Sequence, residues 1–174
     1  MTDHKLTNFE LNAFYPHVPE QWNSMETGGK LSSIFDWIPA QVPGSIQHDL
    51  LEAGLIRDPY YEMQSIESEW VKDRWWIYRT DFNVDVSLKG KHLELCLKGI
   101  DYKGHVSLNH QKLGFHEGMY DPFILDITSQ ITFDGPNHLE VILENAPDEM
   151  GQIGYTDKTS TQTARFPYKW DWCP

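Results

Sequence analysis

Two cysteines in 174 residues, Cys96 and Cys173, are too few for a disulfide scaffold. One bridge between them is open by count, but so sparse a set favours a reduced compartment. Basic side chains are scarce too. Lys and Arg number 14 against 26 Asp and Glu, for a net charge of −12. That balance excludes nucleic acid and an anionic membrane as partners, since both need a basic footprint. No apolar run approaches membrane-spanning length. The opening Met1-Thr2-Asp3-His4-Lys5 has no apolar core of a signal peptide, and no Asn-x-Ser/Thr sequon occurs. The expectation is a cytoplasmic protein whose partner is a neutral ligand such as a carbohydrate.

Reaction motifs are missing as well. There is no Gly-x-Ser-x-Gly, and Pro43-Gly44-Ser45 reads as a turn and helix cap, so a serine or cysteine hydrolase is not expected. His116-Glu117-Gly118-Met119-Tyr120 begins like a zinc-protease helix, but Tyr120 stands at the second His position and Gly118 opposes the helix. The eight His are scattered and no Cys-x-x-Cys exists, so no metal is expected. Gly28-Gly29-Lys30 lacks the spacing of a phosphate loop, and no cofactor is expected. Glu62, Glu67, Glu69, Asp73 and Asp101 are formal candidates for an acid/base pair. A retaining glycosidase needs two carboxyls roughly 5–5.5 Å apart. Surface and turn carboxylates of an acidic protein are the favoured reading of these five.

What the chain does have is alternation. Trp76, Tyr78, Thr80, Phe82 and Val84 repeat at every second position, as do Leu93, Leu95 and Leu97, and Leu139, Val141 and Leu143. Val106 with Leu108, and Phe123 with Leu125 and Ile127, add two shorter runs. Period two means half-buried strands. Turn signals part them at Lys89-Gly90-Lys91, Asn109-His110 and Asp134-Gly135-Pro136-Asn137. The expectation is one all-β domain over residues 1–174, an antiparallel jelly-roll β-sandwich with one or two short helices. One helix is predicted after Pro43-Gly44. Ser45 caps it, Ile46, Leu50 and Leu51 share its apolar face, and Gly54 closes it. Residues 12–33 read as loop, and the polar residues 145–164 as a long connection.

Trp76 and Tyr78 are predicted to face the core, and Trp70 and Trp75 to pack. Asp101 is expected to satisfy a turn. The terminal Arg165 to Pro174 contains Trp170-Asp171-Trp172, an acidic residue between two indoles. A carboxylate there is a poor core element. It suits a sugar better: Asp171 can accept hydroxyl hydrogen bonds while an indole covers the apolar face of a pyranose. Chain ends normally fray into polar tails, and this one does not, so the chain is expected to be a piece of a larger protein.

The ordered motifs resemble the N-terminal sugar-binding domain of glycoside hydrolase family 2, in its β-mannosidase branch. They run from Trp37 and Val42-Pro43-Gly44 through His48-Asp49-Leu50-Leu51 and Gly54 to Tyr61. They continue in Glu69-Trp70-Val71, Asp73-Arg74-Trp75-Trp76-Ile77-Tyr78-Arg79, Gly99-Ile100-Asp101, Asn109, Gly114, His116 to Met119 and Pro122-Phe123. Asp126-Ile127-Thr128, Asn137 to Val141 and Trp170-Asp171-Trp172-Cys173-Pro174 complete the set. The resemblance covers about residues 35–174. It implies a galactose-binding-domain-like jelly roll, followed in the family by an immunoglobulin-like domain and a (β/α)₈ barrel. Both catalytic glutamates belong to that barrel, so no catalytic residue is expected in this chain, which alone should be inactive. The parent would be a retaining exo-glycosidase acting on terminal, non-reducing β-D-mannose, and Trp170, Asp171 and Trp172 would contact that sugar. Three departures stand out: Lys169 where Gly is common, His110 after the hairpin Asn, and Tyr102 after the Asp. Lys169, nearest the pocket, leaves another β-glycoside specificity open. A free-standing carbohydrate-binding module and a purely structural domain are the competing classes.

Overall fold

The computed structural model describes residues 4–14, 35–68, 70–71, 74–118 and 120–144. Eight strands and two short α-helices form an antiparallel jelly-roll sandwich. The larger sheet is built from β1 (Asn8–Phe14), β2 (Ile38–Gln41), β3 (Trp75–Phe82), β5 (Lys103–Leu108), β6 (Gln111–Glu117) and β8 (Asn137–Leu143). Its order is β2-β1-β3-β8-β5-β6. The smaller sheet pairs β4 (Glu94–Leu97) with β7 (Phe123–Asp126).

The alternation does what was expected of it. Trp76, Tyr78, Val106, Leu108, Leu139 and Val141 are buried on the inner face of the larger sheet. Leu95, Leu97, Phe123 and Leu125 pack onto them from the smaller one. Cys96 lies on the opposite side of its strand from the leucines and is a free, exposed thiol. Three strands are shorter than their patterns: β3 ends at Phe82, before Val84, and Leu93 and Ile127 sit one residue outside β4 and β7. Both still pack with the core.

The helix α1 (Ile46–Glu52) begins at Ser45, whose Oγ accepts from the His48 backbone N–H at 3.3 Å. It ends with Gly54 at φ 70, the Gly54 N–H donating to the Leu51 carbonyl and the Leu55 N–H to that of Leu50. This double closure is the Schellman arrangement that a left-handed glycine permits. The second helix, α2 (Gln64–Glu67), is a single turn.

Part of the loop expected over residues 12–33 is strand instead. β1 carries Phe9, Leu11 and Ala13 on its core side, and the period-two signal was present but short. The strand β6 was hidden for another reason. A bulge shifts the β5–β6 register between Val106 and Ser107, so Gly114 opposes Val106 while Lys112 opposes Ser107, and Leu113 is extra. One inserted residue reverses the parity of every side chain beyond it. Gly114 also permits a close approach between the layers, since a Cβ there would lie 2.8 Å from Phe123 Cζ.

Candidate functional site

The sequence placed its sugar contacts at Trp170, Asp171 and Trp172, and these lie outside the described residues. So do Glu69 and Asp73 of the carboxylate candidates, and residues 145–164. The other candidates serve local structure. Both oxygens of Glu67 accept from Arg57, Nε at 2.8 Å and Nη2 at the other oxygen. That hydrogen bond holds the Glu67 carboxyl below its usual range. Glu62 is exposed at φ 51, and adds a weaker attraction for the same guanidinium. Asp101 sits in the bend that leads into β5. His116 and Glu117 are in a strand, not a helix: the His116 ring stacks on Phe123 at 5.0 Å, and its Nε2 meets the Gly118 carbonyl at 2.8 Å. Among the described residues no group of three His, Cys, Asp or Glu side chains could hold a metal.

Trp70, Trp75 and Trp76 pack. Trp70 lies against Trp76, ring centroids 6.0 Å apart, and the Trp76 indole donates to the Val71 carbonyl at 3.0 Å. Trp75 faces the other way, across the outer face of the larger sheet. It meets Phe14 edge-on at 6.1 Å and stacks on His105 at 5.9 Å, which in turn lies 4.9 Å from Phe115. Glu144 Oε1 pairs with His105 Nε2 at 2.6 Å and fixes the middle of this row.

Farther along the same outer face, an open cleft of about 410 Å³ is lined by Asn8, Glu10, Arg79, Thr80, Asp81 and His138. The outward positions of β1, β3 and β8 put Asn8, Glu10, Arg79, Asp81 and His138 there, out of step with the core set, while Thr80, on the core parity, donates its hydroxyl to the Asn8 carbonyl at 2.6 Å. Arg79 donates Nε to Glu10 Oε2 at 2.8 Å, with Nη2 in ion-pair contact with the same oxygen at 2.8 Å, and its guanidinium lies 3.5 Å from the Trp37 ring centroid. His138 is held between Asp81 Oδ1 at 2.6 Å and Glu140 Oε1 at 3.2 Å. Burial alone would lower its pKa, but the hydrogen bonds to Asp81 and Glu140 outweigh burial and raise it. Sequence reasoning did not single out this group. Its signal was the polar half of the same alternation. Arg79 is paired with Glu10 and His138 with Asp81, so the cleft is lined by a cross-strand network.

Beyond the cleft, a second polar set lies inside. Asn137 is fully buried, accepting from the Asn109 amide at 2.9 Å and the Thr132 N–H at 2.8 Å, and donating to the Thr132 carbonyl at 2.9 Å. Asn109 also accepts from the His138 N–H at 2.9 Å and donates to the Gln130 carbonyl at 2.8 Å. This network seats the β5–β6 hairpin, where Asn109 and His110 take φ of 52 and 64. His110 holds that left-handed position without being glycine, 5.5 Å from the His138 ring.

The sandwich and most of the sequence have counterparts elsewhere. Residues 21–174 match the glycosyl hydrolase 2 galactose-binding domain-like family. The chain belongs to that family. Among curated relatives, β-mannosidase B of Emericella nidulans is 26% identical over 178 residues, covering 94% of this chain and 21% of that protein. β-Mannosidase B of Aspergillus terreus is 27% identical over 170 residues, 87% of this chain and 20% of that protein. The crystal structure of β-D-mannosidase from Dictyoglomus thermophilum superposes over 100% of this chain and 21% of that one, with a TM-score of 0.74 and 27% identity. A β-glucuronidase from Ruminococcus gnavus shares the fold, with a TM-score of 0.57 and 21% identity over 84% of this chain and 22% of that one. This family member therefore spans about a fifth of the length of the curated relatives it matches.

Proposed function

We propose that this chain is the N-terminal domain of a retaining β-mannosidase-like exo-glycosidase that removes terminal, non-reducing β-D-mannose. The domain spans residues 1–174. An immunoglobulin-like domain and a (β/α)₈ barrel follow it in the longer polypeptide, and the barrel carries both catalytic glutamates. The observation that carries this reading is sequence likeness to proteins named β-mannosidase across 94% of the chain.

The domain's part in catalysis is then to orient. Asp171 accepts hydrogen bonds from hydroxyls of the terminal sugar, and Trp170 and Trp172 cover its apolar face. Holding the sugar against carboxyls carried by the barrel converts binding energy into rate without moving a proton. The exposed, unbridged Cys96 suits a reduced, cytoplasmic setting.

In the longer polypeptide, Asp171→Ala should lower kcat/KM on an aryl β-mannoside by about 100-fold or more, a loss of roughly 3 kcal/mol. The circular-dichroism melting curve should not move. Unchanged kinetics would refute the pocket role.

A further inference from the structure

Between Ile56, which is in the core, and Val71, the chain leaves several large apolar side chains in solvent. Tyr61, Met63 and Ile66 are 59%, 69% and 54% exposed, with Leu55 and Tyr60 beside them in sequence and also exposed. The polar Gln64, Ser65 and Ser68 are instead half-buried. The helix α2 buries none of its residues. A short helix normally turns its apolar side inward, because that burial is what stabilises it. Here the apolar side points to solvent.

The segment is wound tightly all the same. The Tyr61, Gln64, Ile66, Ser68 and Val71 N–H groups each donate to the carbonyl three residues back. Glu67 ties α2 to Arg57 across the loop. Glu62 takes the left-handed φ of 51, which a non-glycine residue adopts at a cost. Large apolar side chains left exposed together on one hydrogen-bonded segment mark an interaction surface.

We infer that Tyr61, Met63 and Ile66 are the docking face of this domain for the remainder of its own longer polypeptide. This rests on the reading above that such a polypeptide exists. Two facts select that occupant. About four-fifths of each curated relative lies outside the match, so a large body of the same chain is available to cover the patch. The net charge of −12 opposes a second copy of this acidic chain.

Hydrogen exchange of the amides from 55 to 68 tests the inference, measured in the 174-residue chain and in the longer polypeptide. Exchange at least tenfold slower in the longer polypeptide is expected, and equal rates would overturn the docking. Sedimentation of the 174-residue chain at rising concentration is expected to give a monomer. A dimer abolished by Met63→Glu with Ile66→Glu would make a second copy the occupant and overturn it too. Turnover of an aryl β-mannoside by the longer polypeptide is read separately. Turnover without protection removes the docking and keeps the function; protection with another glycoside as substrate does the reverse.

Discussion

The hairpin end of the larger sheet and the excursion from 55 to 68 are built on opposite terms. At the hairpin, polar side chains go inside and every bond is made within the domain: Asn137 is fully buried with three partners. In the excursion, Ile56 reaches the core but Tyr61, Met63 and Ile66 stay outside, while Gln64, Ser65 and Ser68 are half-buried. The first region is complete as it stands. The second acquires a reason only if something else lies against it. A buried amide without partners is expensive, and an exposed isoleucine is merely unrewarded. That difference predicts where substitutions will be felt.

The largest effect should come from Asn137→Ala. It leaves the Asn109 amide and the Thr132 N–H without their acceptor inside the sandwich, and should cost about 3 kcal/mol in urea unfolding. A loss under 1 kcal/mol would break the claim that the hairpin end is self-sufficient.

Asp49 comes next, at the root of the excursion. Its Oδ1 accepts from the Gln41 N–H at 3.1 Å, and Oδ2 is buried with no partner among the described residues. Desolvation raises its pKa, against the opposing pull of the Gln41 hydrogen bond and of His48. The folded state therefore keeps this proton to higher pH than the unfolded chain does. Stability falls as pH rises from the ordinary carboxylate value through the raised one. Asp49→Asn removes that loss, and should stabilise the chain by about 1 kcal/mol at pH 7. The gain should fade below pH 4. Thermal melts across that range check both the size and the slope.

His138→Gln should do less, because the site is partly open to solvent. The raised pKa contributes stability that is complete below the usual histidine value and lost as pH climbs through the folded one. The deficit of the variant should be under about 1 kcal/mol at pH 5.5 and shrink by pH 9. A deficit that grows with pH would reverse the assignment of Asp81 and Glu140 as its partners.

Smallest of all is Met63→Ser with Ile66→Ser. In the 174-residue chain the midpoint should stay within about 0.5 kcal/mol of the parent, since neither side chain is buried. A loss above 1 kcal/mol would mean that the patch is covered from within, and the contrast between the two regions would collapse.

Much of the sandwich was legible in advance because period two survives wherever a strand pairs regularly. Trp76 with Tyr78, and Leu139 with Val141, fell where alternation put them. The capped helix did too, because Ser45 and Gly54 act locally. β6 was illegible, since its bulge breaks the period, and β1 was hidden by the loop-like stretch into which it runs, with the small Ala13 as the last step of its alternation. The cleft around Arg79 and His138 was present as the polar half of β1, β3 and β8. Only the register of strands distant in sequence places those residues side by side. Trp170-Asp171-Trp172 was read from chemistry and resemblance, and lies outside the described residues.

The substrate profile of the longer polypeptide is the most direct measurement. Aryl β-D-mannoside, β-D-glucuronide, β-D-galactoside and β-D-glucoside would be compared by kcat/KM, alongside the 174-residue chain alone. The account predicts that the mannoside leads by at least 100-fold, with net retention at the anomeric carbon, and that the 174-residue chain turns over none of them. A preference for the glucuronide, or turnover by the 174-residue chain itself, would contradict it.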